Sequence, residues 1–495
     1  MRAASTGPAG TDQPDRSPQL QRKLTLLPAT ALNMIDMVGV GPFATLPLMV
    51  KAMGGSLALV GWIAGAIIAI ADGLIWAELG AALPKAGGTY EYVKEIYGRE
   101  KFGKLLAFLF TFQLIFTAPV SIATGCVGLA GYASYIFPSL QHVFFSSSLR
   151  LHLLGDVTLK FEVSGATLAA IAAALLATVL VARGIDGIAR ISKYLWIGVL
   201  ATLVFVIFTG LTHFHAGLAF PQGWLHQAPP NGFLIGFSGA LLVALYDYWG
   251  YYNICFLAEE VVDPPRTIPR SMILSIVIVG ALYLLMNIGI LGQLPVAEMI
   301  RMTDATAGNY PAARAAQMAW GNWGGNLVAL AVVWTAFASV FALLTGYSRI
   351  PFAAARDHNF FSAFQRLHKT KGFPVVSVVF MGMLAAVLCV FQLGSLISAL
   401  VIVRILMVFL VQALGVVYWR MTKPAAERPF RMWLYPLPVV ITLVGFALVF
   451  TDPDRQKLVA RGLTLGLAGV IIFLVRAFLR KQWPFAAKQT AGAAE

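Results

Sequence analysis

Charge is what this chain has least of. Asp, Glu, Lys and Arg make up 12% of its 495 residues, against roughly 25% in a soluble globular domain. So little charge cannot solvate the surface of an ordinary soluble protein of this size, and that class is excluded. Cysteine is scarcer still. Cys126, Cys255 and Cys389 are far apart and each lies inside an apolar run. An odd number at such spacing excludes a disulfide framework and a zinc site. The seven histidines lie in loops or near the ends of apolar runs. His213 and His215 form an HxH, but no Cys, Asp or Glu stands close by, so no metal centre is expected. The histidines do not converge on acids at one interface, as an enzyme would require, and no cofactor is expected. No loop or tail reaches the ~100 residues of an ordinary domain, which argues against a sensor with a soluble output module. A signal peptide is absent too: the first 23 residues are polar and rich in Pro, Ser and Gly, so residues 1–27 read as a disordered tail.

What remains is apolar. Hydrophobic residues are 59% of the chain, in runs that recur along its whole length. A window suited to a ~30 Å hydrocarbon core places spans at 28–51, 57–83, 105–137, 162–182, 194–214, 232–260, 272–293, 325–346, 374–393, 395–418, 433–451 and 460–479. The fold class is therefore an all-α polytopic membrane protein of about twelve transmembrane helices. The net charge of +14 would suit nucleic acid, but its distribution argues otherwise. Lys and Arg crowd alternate loops, as in Lys94–Arg99–Lys101–Lys104 and Arg420–Lys423–Arg428–Arg431, while the opposite loops hold few, such as Lys51 and Arg301. The positive-inside rule then puts both termini in the cytoplasm and the basic loops against anionic lipid.

Two spans break themselves. The first reads ALNMIDMVGVGPFATLPLMV, with Gly39-Val40-Gly41-Pro42 at its middle. Gly adds backbone freedom, and Pro lacks an N–H and clashes with the preceding turn. Unwound backbone at that depth is tolerated only where protein buries it or a cavity adjoins it. Helix-end N–H groups there suit an anionic ligand. A plain proline kink is the alternative. The sixth span holds Gly250 among Tyr246, Tyr248, Trp249, Tyr251 and Tyr252, with Asp247 between them. These aromatics lie too deep for an interfacial belt. Breaks in a first and a sixth span are what an inverted repeat of five plus five helices produces, with the substrate between them. The domains are then a tail (1–27), a first repeat (28–215), a second repeat (232–419), two additional helices (433–479) and a cytosolic tail (480–495).

The residues also carry a family resemblance. Trp76-Ala77-Glu78-Leu79-Gly80 through Pro84, followed by Gly87-Gly88-Thr89-Tyr90, resembles the "AELG…P…GG…Y" signature of amino acid permeases of the amino acid–polyamine–organocation superfamily. Gly39-Val40-Gly41 is similar to that family's first-helix break, and Ala244 to Gly250 to its unwound sixth helix. Ala258-Glu259-Glu260 with Pro269-Arg270, Ser348-Arg349-Ile350-Pro351-Phe352, and Arg428-Pro429-Phe430-Arg431 continue the match in order.

The resemblance implies a leucine-transporter-type fold and a secondary transporter that moves amino acids across the cell membrane by alternating access. It implies a substrate carboxylate held by backbone N–H groups of Val38, Gly39, Val40 and Gly41. The substrate ammonium falls to carbonyls around Tyr246, Asp247 and Trp249, flanked by Tyr248 and Gly250, with Tyr246 as an aromatic gate. The partners implied are a small amino acid or amine, the lipid bilayer and a proton as candidate coupling ion. The fifth-helix Lys of proton-coupled relatives falls near Gly198 or Val199 and is absent here. Asp36, Asp72 and Asp247 are an excess of intramembrane acid, with Arg404 an available partner; such groups are functional candidates by default. The extra acid keeps a polyamine or cationic amino acid carrier as the alternative reading. Glu78, at a helix end in a shared motif, reads as architecture.

Overall fold

The computed structural model describes residues 20–151, 157–303, 310–391 and 401–485. Among these, eight helices are long and apolar enough to cross a membrane, and four shorter apolar helices accompany them. The segment 28–51 divides into α1 (Leu26–Met37), α2 (Gly41–Ala44) and α3 (Leu46–Met53). The break is Val38–Val40. Pro42 lies in the first turn of α2, where a missing N–H costs nothing. It starts the second half rather than stopping the first.

The chain continues through α4 (Ala58–Ala82), the short α5 (Thr89–Ile96) and the 35-residue α6 (Phe102–Ile136). An antiparallel hairpin follows, β1 (Val143–Leu151) with β2 (Val157–Ser164), in register Val143↔Ser164 to Leu151↔Val157. The hydropathy reading started a span at 162. The helix α7 (Gly165–Val181) starts three residues later, because Ser164 caps it: its Oγ accepts from Thr167 N at 3.3 Å, and Thr167 Oγ1 accepts from Ser164 N. Helices α8 (Ile185–Thr212) and α9 (Phe233–Tyr248) come next. Beyond a second break, Trp249–Tyr252, stand α10 (Asn253–Phe256), α11 (Pro264–Leu291), α12 (Asn322–Tyr347) and α13 (Arg349–Arg356). The last apolar helices are α14 (Val375–Leu388), α15 (Leu410–Thr422), α16 (Leu437–Val449) and α17 (Pro453–Leu479). A π segment, Ile405–Phe409, immediately precedes α15. Part of the span expected at 395–418 lies outside the described residues.

Small residues set how closely the helices approach. Gly61 and Gly65 of α4 face Ala240 and Ala244 of α9, and a β-carbon on either glycine would come within 2.7 Å of the facing alanine methyl. This is the small-xxx-small contact by which helices associate in lipid.

Three ion-paired knots tie the helix ends that the basic loops flank. Glu78, fully buried, accepts from Nε and Nη2 of Arg420 and from the Met432 N–H. Arg349 forks onto Glu260 at 2.8 and 3.2 Å, both fully buried. Lys94 bridges Glu91 (2.5 Å) and Asp357. The chain's beginning joins in: Leu24 N donates to Glu260 O, and Val262 N to Leu24 O. Order therefore reaches residues that composition assigned to the disordered tail ending at 27.

Candidate functional site

The two breaks meet. Gly250 has φ +125°, and a β-carbon there would lie 2.6 Å from Met37 N and 2.8 Å from the Asp36 carbonyl carbon. Only glycine fits such a conformation and approach. Asn33 Oδ1 accepts from Ile254 N at 3.0 Å, and Asn253 Nδ2 donates to Asp36 Oδ2 at 2.7 Å. The Tyr283 hydroxyl donates to Met37 O at 2.8 Å, with Asp247 O at 3.3 Å.

Beside this junction is a cavity of about 190 Å³. Its walls come from the first break (Asp36 to Thr45), from α6 (Ser121, Thr124, Gly125), from the second break (Tyr246, Asp247, Trp249, Gly250, Tyr252), from α12 (Ser339, Leu343, Tyr347) and from Arg404. The N–H groups of Val40 and Gly41 have no hydrogen-bond partner among the described residues, while Gly39 N donates to Met37 O. Across the site, the carbonyls of Tyr246 and Trp249 receive no backbone N–H among the described residues.

Among the described residues, two carboxylic acids and one guanidinium face the space without pairing with one another. Asp247 is buried; its Oδ2 accepts from Thr45 Oγ1 at 2.5 Å and its Oδ1 has no partner. Asp36 Oδ1 is likewise unpartnered. Arg404 donates from Nη2 to Ser121 Oγ at 2.9 Å and lies over the rings of Tyr347 (5.1 Å) and Trp249 (6.0 Å). Asp247 and Arg404, available to each other as partners, do not pair among the described residues; Thr45 holds the carboxylate instead. Buried charge left unpaired costs several kcal/mol, so the cavity favours ligands that complement it.

Of the residues singled out from sequence, Asp36, Gly39, Val40, Gly41, Tyr246, Asp247, Trp249, Gly250 and Arg404 come together here. Three do not. Val38 is buried behind the break, its N–H donating to Met34 O. Tyr248 turns away from the cavity onto Trp62 and Tyr283. Asp72 accepts from the Tyr251 hydroxyl at 2.5 Å and is no part of the wall. The walls from α6 and α12 went unread. Their signals were the small polar stretch Ser121 to Gly125 and the four-residue spacing of Ser339, Leu343 and Tyr347, which puts all three on one helix face.

Comparison with known proteins bears on this arrangement. The sequence pattern of the amino acid permease family matches residues 24–475. The serine/threonine exchanger SteT of Bacillus subtilis (strain 168) is 25% identical over 465 residues, covering 92% of this chain and 96% of that protein. The mouse large neutral amino acids transporter small subunit 2 is 26% identical, covering 92% and 81%. The mouse Asc-type amino acid transporter 1 is also 26% identical, covering 94% and 82%.

Proposed function

The chain belongs to the amino acid permease family, and on that premise we propose that the cavity between its two breaks is where it holds its substrate. It is an integral membrane protein and an amino acid transporter, not an enzyme. The observation that carries the site is the matched set of free backbone groups. Val40 and Gly41 offer N–H donors on one side; Tyr246 and Trp249 offer carbonyls on the other. A zwitterion entering a low-dielectric site needs both charges hydrogen-bonded, and these groups supply both. The helix-start position of Gly41 adds its dipole to the carboxylate end.

The family implies a leucine-transporter-type architecture. In that reading residues 28–215 and 232–419 are inverted five-helix repeats, two helices follow, and both termini are cytoplasmic. The relatives named as an exchanger and as transporters of neutral amino acids make exchange of small or neutral amino acids the first expectation.

One observation favours a second reading. Asp36 and Asp247 each turn an unpartnered oxygen on the cavity, against one guanidinium. That balance suits a substrate with an additional positive charge, a cationic amino acid or a diamine. Both readings are tested by competition of unlabelled amino acids and polyamines against one labelled substrate in proteoliposomes, with and without sodium and pH gradients. Neutral amino acids competing best support the first; lysine-like compounds and diamines competing best support the second. Uptake is expected to persist when choline replaces sodium at fixed pH. Competition by none of these compounds would remove the cavity from the proposal.

A further inference from the structure

A second site lies away from the breaks, between the start of α11 and the segment leading into α16. It is a groove of about 470 Å³ formed by Pro265, Arg266, Pro269, Arg270, Ile273, Leu274, Pro429, Phe430 and Trp433. Its cationic groups are weakly engaged among the described residues. Arg270 is exposed and has no hydrogen bond or ion pair among the described residues. Arg266 reaches only Asp263 among the described residues, at 3.9 Å. Arg431, beside the groove in sequence, is exposed and also without such a partner. This contrasts with Arg349, Arg356 and Arg420 nearby in the fold, each forked onto a glutamate.

The groove is also graded. Arg266, Arg270, Leu274, Val277 and Ile278 follow one another at helical spacing on the outward side of α11, all exposed. Cationic residues give way to apolar ones within two turns. Facing them, Trp433 is 58% exposed at the start of a segment that leads to the exposed Leu437 and Val440. Guanidinium above, hydrocarbon below and indole at the boundary is the layering of a bilayer interface. A soluble anion would use the arginines and leave the apolar wall idle.

We propose that this groove binds one anionic phospholipid, with its phosphate on Arg266 and Arg270 and an acyl chain along Ile273 and Leu274. The lipid sits a few residues from Glu260, whose backbone holds the chain's beginning and whose carboxylate holds Arg349.

The test is native mass spectrometry of the delipidated full chain, titrated with phosphatidylglycerol, phosphatidylcholine or inorganic phosphate. One phosphatidylglycerol should be retained in preference to phosphatidylcholine. Each arginine near a membrane surface contributes about a fivefold factor, so Arg270→Gln should weaken retention about fivefold and the Arg266→Gln/Arg270→Gln double variant roughly 25-fold. Leu274→Gln should weaken the lipid and leave inorganic phosphate unaffected. Arg270 has no hydrogen bond or ion pair among the described residues, so its single variant carries the test even where the double variant fails to fold. Equal binding of the two lipids, or retention unchanged by Arg270→Gln, would overturn the site. Phosphate displacing the lipid, with Leu274→Gln inert, would make it a soluble-anion site and overturn the lipid assignment.

Discussion

Asp247 and Gly41 depend on each other. A β-carbon on Gly41 would lie 2.0 Å from Asp247 Oδ1, so the glycine is what gives that carboxylate its place. Gly41→Leu should therefore insert and fold yet lose transport; near-normal uptake by well-expressed protein would show that the space is not used. Asp247→Asn keeps an oxygen for the Thr45 hydroxyl and removes the charge. If the carboxylate meets a substrate's additional ammonium, selectivity against neutral amino acids should shift by ~10- to 1000-fold, read from competition constants. Because Asp247 and Arg404 are not paired, neutralising Arg404 should not rescue the Asn variant. Rescue would mean that the two charges meet in another state of the transport cycle.

At the scale of elements, the breaks hold their shape because the half-helices are pinned at both ends. Gly250, Asn33, Asn253 and Tyr283 fix the inner ends against each other. The far end of the second break is fixed by Glu260 on Arg349, which joins it to the start of α13. Removing one partner of a fully buried pair strands the other charge and typically costs about 3–5 kcal/mol. Arg349→Met should thus lower the thermal unfolding midpoint sharply in detergent. The double variant Arg349→Met/Glu260→Gln should recover most of the loss, since no charge is then left unpaired. An unshifted midpoint in the single variant would contradict the burial on which the argument rests.

The whole molecule concentrates its paired charge where the basic loops lie. Burial alone would raise the Glu91 carboxyl, but Lys94 at 2.5 Å, with Lys85 behind it, outweighs that and holds it below its ordinary value of 4.5. A carboxylate with a depressed folded pKa contributes stability that is complete above the unfolded value and is lost as pH falls through the folded one. The unfolding midpoint should accordingly show no loss from this group between neutral pH and about 5, then fall as pH drops below 4.5. Glu91→Gln should flatten that acid limb. A limb unchanged by the substitution would assign the acid sensitivity to other groups.

Composition and hydropathy determined by themselves that this is an all-helical membrane protein, because scarce charge and apolar runs admit little else in a chain of this length. The order of short motifs pointed to the family, and Gly-rich interruptions marked both breaks, because backbone that must leave the helix needs glycine whatever surrounds it. Tertiary structure decided the rest. Which side chains line the cavity depends on how helices rotate against one another, so Tyr248 and Asp72 turned away while Ser121 and Ser339 turned in. The hairpin at 143–164 lies in a loop where hydropathy has no say. The partner of Asp247 could not be read in advance, since Thr45 and Arg404 lie 202 and 157 residues away and only packing brings one of them within reach.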